Sequence, residues 1–152
     1  MHYLLQIGFK AKVDCRNAIS VMSASVEYYT RLGSTVNVAA LDMSKVFDKV
    51  NHAGLWLKLF KRNVPRCFVS ILADWYSKVF MCVKWGSSFS EFGRIAAGVR
   101  QGGVLSPVLF AVYVDDIIVN LRSSGFGCCF AGEYIGVLMY ADDLLLMSVT
   151  YL

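Results

Sequence analysis

Charge is scarce in this chain. Asp, Glu, Lys and Arg make up 17% of its 152 residues, against 57% hydrophobic ones, whereas an ordinary soluble domain carries about 25% charged residues. A membrane span does not account for the excess, because no run reaches the ~18 apolar residues a spanning helix needs. The longest candidate, 103–121, contains Pro107, Asp115 and Asp116. The opening MHYLLQIGF lacks a basic start and a small-residue cleavage site, so it is not a secretion signal. No Cys-x-x-Cys pair occurs among Cys15, Cys67, Cys82, Cys128 and Cys129. Neither a disulfide framework nor a zinc site is indicated, and a reducing intracellular setting is the simplest fit. Repeats, linkers and low-complexity stretches are absent too. The net charge of +4 points only weakly to a polyanionic partner. The length suits one domain with a real core, and the surplus of apolar residues is expected to be surface meant for neighbours, as in part of a larger protein.

The pattern of residues predicts mixed helices and strands. Asp14 can cap a helix over 15–32, with Ile19, Met22, Val26 and Tyr29 on one face and Gly33 as its stop. TVNVAALD (35–42) reads as a buried strand ending on Asp42. Residues 44–62 and, after Pro65, 66–79 read as helices, and 80–99 as a hairpin around Gly-Ser-Ser. Ser106-Pro107 opens a helix to about 122. Residues 128–147 read as strand, Gly-Glu turn, strand, tight turn, strand. Without a regular β-α alternation, an α+β sandwich is the expected class.

Tyr-x-Asp-Asp occurs twice, in YVDDIIVN (113–120) and YADDLLLM (140–147). Around the first copy, Phe110, Tyr113, Val114, Ile117, Ile118 and Leu121 follow the helical template. Successive helical residues diverge by ~100°, so Asp115 and Asp116 read as solvated helix carboxylates. The second copy lies between two short apolar runs that suit strands buried on both sides. Asp142 and Asp143 then sit at the tip of a hairpin, with no lysine or arginine in 140–152 to offset them. Unpaired carboxylates in oily surroundings are costly. A hard divalent cation such as Mg²⁺ would offset that cost, and Asp42, at another strand end, could donate a third carboxylate. Spacing alone leaves this open beside a plain solvated Asp-Asp turn.

Three segments read together resolve the ambiguity. ALDMSKVFDKVNH (40–52), GVRQGGVLSPVLF (98–110) and YADDLLLMS (140–148), in that order, resemble motifs A, B and C of the reverse transcriptase domain of non-LTR (LINE-type) retrotransposons. LQIGFKAK with CRNAI (within 5–19) is similar to the Gln-x-Gly-Phe segment that precedes motif A there. The resemblance implies a polymerase palm-type (RRM-like) antiparallel sheet packed on helices, with a fingers remnant at about 1–34 and palm at about 35–152. It implies RNA-directed DNA polymerase activity, with Asp42, Asp142 and Asp143 as catalytic residues. Those three and the Met43 carbonyl would hold two Mg²⁺ ions, with Mn²⁺ as a substitute. Phe47 matches the aromatic under the incoming sugar that excludes a 2′-hydroxyl, and Gln101 and Gly102 match the motif B loop that meets nucleotide or template. Asp48 and the Asn51-His52 step read as structural, His52 in a packing or capping role.

RNA template, DNA primer and dNTP are the implied partners, with no membrane, and the nucleus is the implied compartment. Lys58, Lys61, Arg62 and Arg66, and the aromatic–lysine run 75–85, either line a template-primer channel or form a solvated face and ordinary core. Val46 replaces a more usual alanine before Phe47. Finger segments upstream, a general-acid lysine, the primer grip and thumb downstream, and an endonuclease domain are expected to lie outside these residues. The chain is therefore expected to be a polymerase fragment inactive in isolation, or alternatively a non-catalytic retrotransposon relic with weak nucleic-acid binding.

Overall fold

In the computed structural model, the structure describes residues 14–150. The Gln6–Phe9 segment therefore lies outside the described residues. Among the described residues, four α-helices and small antiparallel sheets give an α+β fold, and no helix there is long and apolar enough to cross a membrane. Two compact units divide the chain: Met1–Ser44 with Val114–Leu152, and Lys45–Tyr113.

In the first unit, helix α1 (Cys15–Arg31) starts as its sequence requires. The Asp14 side chain accepts from the Asn17 N–H while the Asn17 side chain accepts from the Asp14 N–H, a reciprocal capping box. It ends in a Schellman turn, with Gly33 (φ +78°) donating to Thr30 and Ser34 to Tyr29. That turn feeds β1 (Thr35–Asp42). A three-stranded sheet follows in the order β1-β9-β8, with β8 at Val137–Tyr140 and β9 at Asp143–Thr150. Helix α1 packs on β1 and β8. The Tyr29 hydroxyl donates to the Cys129 carbonyl and accepts from the Cys129 N–H, tying α1 to the short hairpin of β6 (Cys129–Phe130) and β7 (Glu133–Tyr134).

Strand β1 departs from the expected burial. Most of its residues are exposed, including Val38 and Leu41. It is an edge strand, paired on one side only by β9, so its apolar character does not imply coverage on both faces. The buried pair of strands is instead found in β8, where Val137, Leu138 and Met139 are all buried, and in part in β9, through Leu144 and Met147. The expected single strand before the tight turn is also broken at Gly136, whose backbone lies against Gly127.

The second unit contains a 3-10 helix (Phe47–Lys49), α2 (His52–Lys61) and α3 (Arg66–Ser77), the last two packed on each other. A helix over 44–62 does not form. The carbonyls of Phe47 and Val50, which it would need internally, accept instead from Val99 and Gly98, and Asn51 starts a new helix by capping Gly54. The hairpin over 80–99 is present only as two-residue pieces: β2 (Phe80–Met81) pairs with β5 (Gly93–Arg94), and β3 (Lys84–Trp85) with β4 (Ser88–Phe89). Helix α4 (Ser106–Ser123) begins in this unit and continues into the first.

Candidate active site

Strand register places the second Tyr-x-Asp-Asp. β1 and β9 pair antiparallel from Thr35↔Thr150 through Asp42↔Asp143, and β8 pairs with β9 up to Tyr140↔Asp143. A two-residue turn, Ala141-Asp142, closes the hairpin, with Ala141 at φ +56°. Beyond Asp42, the Met43 N–H donates to the Asp142 carbonyl at 3.4 Å. Directly opposed residues project to the same face, so Asp42, Asp143 and Tyr140 share one side of the sheet end, with Asp142 on the turn beside them. Asp42 and Asp143 are exposed, and Asp142 is half-buried. The two strand carboxylates also border a cavity of about 430 Å³ floored by apolar residues, among them Ile19, Met22, Ala40 and Leu138.

Like charges directly opposite on paired strands are destabilising. Among the described residues no lysine or arginine forms an ion pair with any of the three aspartates. Nor do any three His, Cys, Asp or Glu side chains among those residues stand close enough to hold a metal ion. The backbone thus gathers the three aspartates at one sheet end, while their carboxylates are not drawn together. Their chemistry, all hard anionic oxygen, fits Mg²⁺ or Mn²⁺ rather than a soft metal.

The residues expected to meet the nucleotide lie in the second unit, held by a compact set of hydrogen bonds. Phe47 is half-buried and stacks on Phe110, centroids 4.2 Å apart at 19°. Its carbonyl accepts from the Val99 N–H at 2.7 Å, and that of Val50 from the Gly98 N–H at 2.8 Å. Gly98, at φ +96°, lies so close to Asp48 that a Cβ would sit 2.9 Å from the Asp48 carbonyl oxygen. Gln101 is exposed and reaches the Asp48 carboxylate at 3.4 Å through its amide nitrogen. Gly102, at φ +76°, occupies a turn in which the Gly103 N–H donates to the Arg100 carbonyl at 3.0 Å. Phe47 and Gln101 are therefore connected through one local network, with Asp48 as the link.

His52 is the residue that sequence reasoning undervalued. Its Nε2 lies 2.7 Å from the Gly98 carbonyl. A carbonyl only accepts, so Nε2 carries the proton. The ring is walled by Tyr76 (5.1 Å) and Trp56 (6.0 Å). Burial pushes the Tyr76 phenol above its ordinary range, and a hydrogen bond with Ser106 pulls the other way. A single histidine at a helix start carries no sequence signal for such a contact, because its partner is a backbone carbonyl 46 positions away.

The first Tyr-x-Asp-Asp is helical, within α4. Asp116 is exposed, but Asp115 is buried, at 9% exposure, and not solvated as expected. Its neighbours Val112, Val114 and Ile118 are buried as well, so the helix is covered over a wider arc than its apolar stripe suggests. In the basic group, Lys61 and Arg66 are exposed. Lys58 is engaged within its unit, donating to the Tyr113 carbonyl and lying 4.8 Å from the centre of the Tyr113 ring. In the 75–85 run, Trp75, Phe80 and Trp85 are exposed and only Tyr76 is buried, so most of these aromatics are not core.

Known proteins are similar to this sequence. The profile of the reverse transcriptase (RNA-dependent DNA polymerase) family matches residues 5–151. The Pol polyprotein of a type-1 R2 retrotransposable element from Popillia japonica is 34% identical over 116 residues, covering 75% of this chain and 16% of that protein. The type-2 R2DM polyprotein of Drosophila melanogaster is 28% identical over 145 residues, covering 95% and 14%. The RNA-directed DNA polymerase of the mobile element jockey from Drosophila funebris is 32% identical over 108 residues, covering 71% and 11%. The chain thus spans about one sixth or less of these relatives. With a family match over nearly its whole length, and relatives that are polymerases of non-LTR retrotransposons, this chain belongs to the reverse transcriptase family.

Proposed function

We propose that this chain is the palm segment of an RNA-directed DNA polymerase that adds dNTPs to a DNA primer on an RNA template. The observation that carries this reading is the register of β1 with β9, which sets Asp42 opposite Asp143 at the sheet end closed by the Asp142 turn. Asp42, Asp142, Asp143 and the Met43 carbonyl would hold two Mg²⁺ ions, or Mn²⁺ in their place. When bound, such ions lower the pKa of the primer 3′-hydroxyl and neutralise charge on the triphosphate. The chain's own part is to keep the three aspartates at one strand end on a backbone fixed by ladder hydrogen bonds, so that side-chain rotation rather than backbone movement brings the carboxylates onto the ions. Phe47 would pack against the sugar of the incoming nucleotide, its ring held against Phe110, and reject a 2′-hydroxyl by its bulk. Gln101 and Gly102 would meet the base or template, glutamine through its amide and glycine by permitting close backbone approach.

Residues 1–152 are expected to bind divalent ions yet to extend no primer alone. A titration with Mn²⁺, followed by electron paramagnetic resonance, should give two sites from which Mg²⁺ competes. An RNA-templated primer-extension assay on the same protein should give no product. A chain that binds no Mn²⁺, or that extends primers even as Asp142→Ala, would contradict the assignment.

A further inference from the structure

We propose that His52 is a positioning residue for the Arg100–Gly103 loop, a role that builds on the nucleotide-facing assignment of Gln101 above. The loop has little side-chain packing of its own: Gln101 and Gly102 are exposed, a Cβ on Gly102 would meet nothing within 4 Å, and Gln101 has a long 3.4 Å contact with the exposed Asp48 carboxylate. Its placement therefore depends on its two ends. At the leading end, both polar groups of the buried Gly98 backbone are taken, its N–H by the Val50 carbonyl and its carbonyl by His52 Nε2–H. The adjacent Val99 N–H goes to Phe47. At the trailing end, Ser106 is buried, its N–H donates to the Gly103 carbonyl at 3.2 Å, and its side chain lies beside the Tyr76 phenol.

His52 joins the two ends. Its ring meets Tyr76 edge-on and donates to Gly98, so one imidazole fixes the start of the loop while it buttresses the ring that lies beside Ser106 at the finish. Trp56 closes the remaining side, 5.5 Å from Tyr76. The backbone contacts of Phe47 and Val50 bring the loop to the 3-10 segment, but neither reaches the Gly98 carbonyl. Without the imidazole donor that acceptor is unsatisfied, and the Gly98–Val99 peptide is held on one side only, by the Val99 N–H bond to Phe47, so it can tilt more readily. Rotation there redirects Val99, Arg100 and Gln101 together. His52 acts through the loop and not on a substrate, which separates it from the residues that would touch nucleotide.

Hydrogen–deuterium exchange on the 152-residue chain, compared among wild type, His52→Ala and His52→Gln, tests the role. Losing one such hydrogen bond corresponds to roughly 3- to 10-fold in a local opening equilibrium. His52→Ala should therefore speed amide exchange in 98–103 about that much while β1, β8 and β9 keep their wild-type rates. His52→Gln, whose amide can donate to the same carbonyl, should recover most of the protection. Unchanged exchange at 98–103 in His52→Ala, or no recovery with glutamine, overturns the proposal. Binding of a fluorescent dNTP in parallel should weaken in His52→Ala by a similar factor and return in His52→Gln. If nucleotide affinity stays constant while the loop loosens, the positioning has no bearing on nucleotide and the proposal fails. If wild type binds no nucleotide, the assignment of Gln101 and Phe47 fails instead, and the exchange result alone decides the role of His52.

Discussion

Asp42→Asn should lower the affinity of this chain for Mn²⁺ by about 100-fold or more, and leave the folded state slightly more stable. The first effect follows from ligand chemistry. An amide oxygen is a neutral donor where a hard dication prefers a carboxylate, and loss of even an outer-shell partner commonly costs 10- to 100-fold in metal affinity. The second follows from strand register. Asp42 and Asp143 are cross-strand partners, and like charges directly opposite destabilise a pair. Both residues are exposed, so solvent and salt screening reduce the gain to a few tenths of a kcal/mol. Ladder hydrogen bonds hold Asp42 in place whatever its side chain, so the substitution should not loosen β1. Opposite movement of stability and metal affinity marks carboxylates kept for chemistry. Isothermal titration with Mn²⁺ and urea unfolding of the same variant measure both. Unchanged Mn²⁺ affinity would remove Asp42 from the metal site.

Gly98→Ala should be the most disruptive small substitution in the Lys45–Tyr113 unit, costing on the order of 3 kcal/mol. Two penalties combine. A non-glycine residue at φ +96° occupies sparsely allowed backbone space, at ~1–3 kcal/mol. Its Cβ would also press on backbone atoms of Asp48 at 2.9–3.1 Å, and crowding of that kind costs about 1–3 kcal/mol where neighbours cannot yield. Asp48 lies between Phe47 and Val50, whose carbonyls hold Val99 and Gly98, so relief of the clash strains those bonds. Gly102→Ala is the control. Its φ is +76°, but nothing lies within 4 Å of the new methyl, so only the conformational cost applies, about 1 kcal/mol. Urea unfolding of both variants separates the effects, and equal losses would show that the approach to Asp48 contributes nothing.

What could be read from the sequence divides along physical lines. Helix α1 was legible at both ends because Asp14 and Gly33 act locally, through a capping box and a left-handed turn. Strand β1 was legible in extent, since TVNVAALD reads as strand and the structure runs Thr35–Asp42. Its exposure was not, because an apolar edge strand and an apolar central strand have the same composition. The helix expected over 44–62 failed for a non-local reason. Phe47 and Val50 give their carbonyls to Val99 and Gly98, partners no local pattern can name. Burial of Asp115 was missed on the same ground, for amphipathic periodicity describes one face of a helix and not how far its neighbours wrap around it. At the candidate site, motif order singled out Asp42, Asp142 and Asp143, and their meeting at one sheet end is a property of strand register. The contact of His52 with Gly98 had no counterpart in any motif.

In the proposed site, Asp42, Asp142 and Asp143 would together hold a pair of divalent cations. Crystals soaked in Mn²⁺ and measured at the manganese edge locate such ions directly. Two anomalous peaks are expected, bonded to oxygens of these aspartates at the end of the β1-β9-β8 sheet. Peaks elsewhere, or bound manganese that leaves the three carboxylates untouched, would contradict it.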